Sequence, residues 1–157
     1  MTIASLFVGL KSLDPKTVLF AKHAQHVVLI HFPIALFITA VVFDLAGTWL
    51  KGDGLTQAAY YNLSVAALFA IPVLVTGVLA WQFQLEGQKL KGTLLMHLVL
   101  AAVSTGIIWL VWWWHFRARR TSKTLPGYRI PMELLGVLIL ALTGHLGGVL
   151  SGVNGPG

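Results

Sequence analysis

The chain has 157 residues, of which 57% are hydrophobic and only 10% charged, and its mean hydropathy is +0.81. Soluble domains carry about 25% charged residues, so this composition excludes a water-soluble globule and a disordered or collagen-like chain. Cysteine is absent, which excludes disulfides, thiolate zinc sites, iron–sulfur ligation and covalent c-type haem.

In chain order, residues 1–25 come first. Their apolar stretch, Ile3 to Leu10, is too short to span a bilayer. It lacks a basic leader and a small-residue cleavage site, so it reads as an interfacial segment rather than a signal peptide. Residues 26–151 then hold four runs of about 20 or more mainly apolar residues, the length a membrane helix needs. The first is expected from His26 to Leu50, the second from Ala59 to Leu85, the third from Thr93 to Phe116 and the fourth from Pro131 to Ser151. Polar breaks separate them: KGDGLTQ, EGQKLKG and RARRTSKTLPGYR. Pro131 suits a first helical turn, where its missing N–H costs little. Pro33 and Pro72 lie inside hydrophobic runs, where a membrane bundle tolerates them. Residues 152–157 form a Gly-rich tail. The expected fold is an all-α, four-helix transmembrane bundle, up-down-up-down, with no internal repeat and no extramembrane domain.

Four spans put the N-terminus, the second loop and the C-terminus on one side, face A, and the first and third loops on the other, face B. Face A carries Lys11, Lys16, Lys22, Lys89 and Lys91; face B carries Lys51, Arg117, Arg119, Arg120, Lys123 and Arg129. The totals are nearly equal. The cluster nearest a helix end, Arg117 to Lys123, favours a cytoplasmic face B and hence periplasmic termini in a bacterial inner membrane. These loop charges account for the net charge of +6 without a nucleic-acid partner. Trp49, Tyr60, Tyr61, Trp112, Trp113, Trp114 and Tyr128 fall at the face B boundary and Trp81 towards face A, as an aromatic belt requires.

Six histidines outnumber the five carboxylates. His31, His97 and His145 lie on three different helices, each roughly 6–9 Å inside face A. His26 sits further out at the same mouth, and His115 alone is at face B. A buried imidazole in lipid is costly unless bonded or ligated. A lone one is commonly an interhelical hydrogen bond, but three at one depth point to a bound group. Haem b takes two neutral imidazoles on facing helices with small residues beside them. Ala35, Ala101 and Gly148 lie one turn from His31, His97 and His145, and Gly144 joins Gly148 in a glycine stripe. The four histidines are therefore candidate axial ligands and these small residues candidate haem-packing positions. They suffice for one haem, and two is their upper count. His26 and His31 are about 140° apart around a helix and do not suit one iron together; His26 could instead bond a propionate or a quinone. An all-histidine copper or zinc site stays open. A di-iron carboxylate site is not expected for lack of paired acids. Asp44 is expected to be a structural partner of Arg117, Asn62 or Tyr60, or part of a proton route.

HAQHVVLIHFPIALFITAVVFDL and LTGHLGGVLSGVNG carry a resemblance. They resemble a family of small bacterial four-helix membrane proteins labelled as a domain of unknown function. The matching positions are His26, His31 to Leu36, Asp44–Leu45 and Thr143 to Gly148. Val27 stands where the family often has proline. The resemblance implies membrane electron transfer and haem b, because members often occur beside or fused to cytochrome c-like domains.

The expectation is a cytochrome b-like subunit, in contact with other membrane subunits of a redox complex and with a c-type cytochrome or quinone. No site for substrate chemistry is visible, so the chain is read as a non-catalytic electron-transfer subunit rather than an enzyme by itself. A cofactor-free membrane anchor or assembly subunit is the alternative.

Overall fold

In the computed structural model, the described residues are 24–83, 85–122 and 124–152. The expected interfacial segment, apart from its last two residues, and the tail beyond Gly152 lie outside them, as does His23. The described residues form four helices and no strand: α1 (Ala24–Leu50), α2 (Asp53–Phe83), α3 (Gly92–Thr121) and α4 (Arg129–Leu150). All four are long and apolar enough to cross a membrane.

Two helices exceed the hydrophobic runs that mark them. α2 begins six residues before Ala59, because the polar stretch from Asp53 to Ala58 continues the helix beyond its apolar part. Asp53 in its first turn complements the helix dipole. α3 runs five residues past Phe116, and Arg119 and Arg120 in its last turn do the same at the negative end. Hydrophobicity marks where lipid would lie, whereas backbone hydrogen bonding decides where a helix stops.

The α1–α2 link is only Lys51 and Gly52. Lys51 adopts a left-handed conformation (φ 51°), and the Gly52 N–H returns to the Gly47 carbonyl at 3.1 Å, closing a Schellman-type cap. A Cβ on Gly47 would fall 2.7 Å from Thr56 Oγ1, so the two helices meet at the turn only because residue 47 has no side chain.

α1 packs along α2, and α3 along α4; the two hairpins join through α2–α3 and, less extensively, α1–α4. α1 and α3 are therefore diagonal. Phe37, Ala40, Val41, Leu63, Ala66, Ala67, Ile107, Ile108, Val111 and Leu140 make the apolar core. Gly136 lets α4 settle into it, for a Cβ there would lie 2.9 Å from both Phe37 and Ile107. Outside this core most large apolar side chains point outward, as at Val42, Leu68 and Leu138. That is the pattern expected where the solvent is lipid.

Burial is uneven along the bundle. Buried positions on α1 start at Pro33, those on α2 end at Ala70, and those on α4 end at Thr143; on α3 only Leu94 precedes Ser104. The bundle is closed towards face B and loosely packed towards face A.

Candidate functional site

The loose end holds the histidines. His26 projects from the first turn of α1 onto α2, its Nδ1 3.0 Å from Thr76 Oγ1. The Thr76 hydroxyl spends its own proton on the Pro72 carbonyl at 2.8 Å. Thr76 therefore accepts from His26, and Nδ1 carries the hydrogen. His97 repeats the device in the other hairpin: from α3 its Nδ1–H donates to the Thr143 carbonyl of α4 at 3.1 Å. A carbonyl only accepts, which again fixes the tautomer. In both residues Nε2 keeps its lone pair. A glycine lies under each ring: a Cβ would come within 3.1 Å of His26 Cε1 at Gly77 and within 3.2 Å of His97 Cε1 at Gly147.

His31 and His145 are placed differently, on the exposed surface. His31 Nδ1–H donates to its own helix, to the Val27 carbonyl at 2.6 Å, so its Nε2 is also left with a lone pair. Ala35 and Gly144 are exposed as well, while Ala101 and Gly148 are partly buried. A Cβ on Gly144 would meet nothing within 4 Å. The glycine in contact with an imidazole on α4 is Gly147, one position away from the stripe.

An axial histidine needs Nδ1–H anchored to an acceptor and Nε2 free, an outer-shell bond that sets tautomer and ring orientation. His26 and His97 meet that on diagonal helices, beside glycines, where few side chains fill the bundle interior. The donor chemistry of these two imidazoles is that of axial ligands.

The closed end carries a second cluster. Asp44 on α1, His115 on α3 and Glu133 on α4 are buried, with relative exposures of 1%, 2% and 1%. Each offers a ligand atom, and these atoms lie within 4.8 Å of one another, so the group could hold a metal ion. Asp44 Oδ2 accepts from Arg129 Nε at 2.7 Å, and Arg129 Nη2 donates to Thr48 Oγ1 at 2.8 Å. His115 Nε2 stands 3.3 Å from Glu133 Oε1. A cleft of about 230 Å³, lined by Thr56, Tyr60, His115, Ala118, Arg119 and Leu125, reaches this cluster from the face B side.

Asp44 is thus an ion-pair residue, but its partner is Arg129, not Arg117, Asn62 or Tyr60. His115 is not an interfacial side chain: it turns inward onto Glu133. Sequence reading did not single out Glu133 and Arg129, yet helical phase marks them. Arg129, Glu133, Gly136, Leu140 and Thr143 recur at spacings of four, three, four and three, and all are buried. His115 is likewise in phase with Ser104, Ile107, Ile108 and Val111. Of the tryptophan run, Trp112 turns inward to donate to Ser64 Oγ at 3.1 Å, while Trp113 is exposed and Trp114 packs against Tyr128.

Fold and site together define a four-helix, multi-pass membrane protein with imidazoles at one end and a buried acid–imidazole cluster at the other. Residues 22–155 match the family described as "Predicted membrane protein (DUF2231)", and the chain belongs to that family. No curated protein and no solved structure matches the chain.

Proposed function

We propose that this protein is a cytochrome b-like electron-transfer subunit that holds haem b at its open end between His26 and His97. One observation carries the reading: two imidazoles on diagonal helices, each with Nδ1–H anchored on the neighbouring helix and no hydrogen bond on Nε2 among the described residues. Bound there, haem supplies a one-electron carrier. Thr76 and the Thr143 carbonyl orient the rings and raise the basicity of Nε2. Gly77 and Gly147 keep the helix surfaces low beside the rings.

His31 and His145, on the outer surface at the same end, face whatever adjoins the bundle. In this reading that is another membrane subunit, a c-type cytochrome or a quinone, and a second haem would use these two residues. The membrane is the bacterial inner membrane with face A periplasmic.

The two histidine bonds also suit a cofactor-free anchor subunit, since both tie neighbouring helices together. A reduced-minus-oxidised spectrum of the protein purified from membranes separates the two. The haem reading expects a low-spin haem b α-band that vanishes in His97→Ala. Wild-type protein without that band, folded and stable, makes it an anchor.

A further inference from the structure

The cluster at the closed end has no part in the haem reading, and its details are odd for a pair of ion pairs. The His115 Nε2 to Glu133 Oε1 separation of 3.3 Å is long for a charge-assisted hydrogen bond, which runs about 2.7–2.9 Å. It matches the edge between two ligands of one ion: metal–ligand bonds of about 2.1 Å enclosing an angle a little over about 100° span that distance. Each carboxylate also has an oxygen left over. Asp44 Oδ1 and Glu133 Oε2 are buried and find no hydrogen-bond partner among the described residues. Buried carboxylate oxygens are rarely left so, because an unmet acceptor keeps its desolvation cost.

We propose that Asp44, His115 and Glu133 form a binding site for a divalent first-row transition ion of the zinc or iron(II) class. Imidazole with two carboxylates suits such ions, and the absence of thiolate excludes a soft-metal site. Three protein ligands leave a further coordination position. A cleft lined by His115 lies beside the site on the face B side, the side from which an ion would enter. Arg129 acts on the outer shell. By holding Asp44 Oδ2 it fixes the carboxylate and turns Oδ1 to the ion, as outer-shell donors do at metal sites. Thr48 in turn holds Arg129. The ligands come from three helices, α1, α3 and α4, and α1 and α3 otherwise meet little. A bound ion would clamp the two hairpins together at this end.

The test uses full-length protein in detergent, stripped with a chelator, then titrated with Zn²⁺ alone. One ion per chain is expected from the titration. Glu133→Gln and His115→Ala should each weaken binding by at least about 10-fold, the scale seen even for outer-shell changes. His26→Ala and His97→Ala should leave it unchanged, which separates this site from the imidazoles at face A. Because a buried substitution can unfold the protein, X-ray absorption at the zinc edge of wild-type protein provides a second readout. One imidazole with oxygen ligands is the expected shell. An all-imidazole shell, no stoichiometric zinc, or zinc that survives both Glu133→Gln and His115→Ala overturns the proposal.

Discussion

The two ends of this bundle solve the problem of polar groups in lipid in opposite ways. Towards face B, Asp44, Arg129, His115 and Glu133 are packed away from solvent and set against one another, with the apolar core directly above them. Towards face A no carboxylate contacts the imidazoles among the described residues. The rings are held by a hydroxyl and a backbone carbonyl, and few side chains around them are buried. Charges taken out of water must find opposite charges or an ion, so the acidic end is closed and tightly constrained. Neutral imidazoles need only one acceptor each, which leaves the second ring nitrogen for a ligand and permits a loose end.

That contrast can be broken by substitution. The largest effect is expected at the open end. His26→Ala or His97→Ala should abolish the haem absorbance attributed to that pair, whereas His31→Ala and His145→Ala should retain it; visible spectra of the four variants decide the ranking. If loss followed His31 and His145 instead, the carrier would lie on the outer surface. At the closed end, Arg129→Ala strands a buried carboxylate and should cost about 3–5 kcal/mol, read as a lowered unfolding midpoint in mixed micelles. Arg119→Ala is the control. Its guanidinium lies 4.5 Å over the Tyr60 ring, and such contacts contribute about 0.5–1 kcal/mol at exposed sites. Between the ends, Gly136→Ala forces a methyl against Phe37 and Ile107 and should cost about 1–3 kcal/mol. Thr76→Val removes the acceptor of His26 and keeps the shape. It should weaken haem retention by about 10-fold while leaving the unfolding midpoint near wild type.

Much of the fold could be read in advance, because four long apolar runs admit few arrangements. Helix ends could not, as α2 shows: Asp53 to Ala58 is polar yet helical. The site was legible in part. Depth along the bundle follows from counting residues, and it brought the histidines to one leaflet. Direction around each helix decides which of them face inward, and that depends on how the helices are rotated against each other. His26 therefore looked peripheral at the mouth, while it is the residue that reaches across to α2. Glu133 lies in the first turns of α4 beside the charged third loop, so composition alone does not mark it as a core residue. Only its phase with Gly136 and Leu140 reveals that it belongs to the core face.

The positions of His26 and His97 also bear on electrical work. Both lie within the first two turns of their helices, roughly 3–8 Å from the start at 1.5 Å per residue. The hydrocarbon layer is about 30 Å thick, so a charge resting between them has crossed about a quarter of the membrane potential at most. A full crossing involves about 2.3 kcal/mol per 100 mV. Electrons arriving from face A and leaving to face A through this pair would do almost no work against the field. On the haem reading, coupling to that field would come from another membrane subunit.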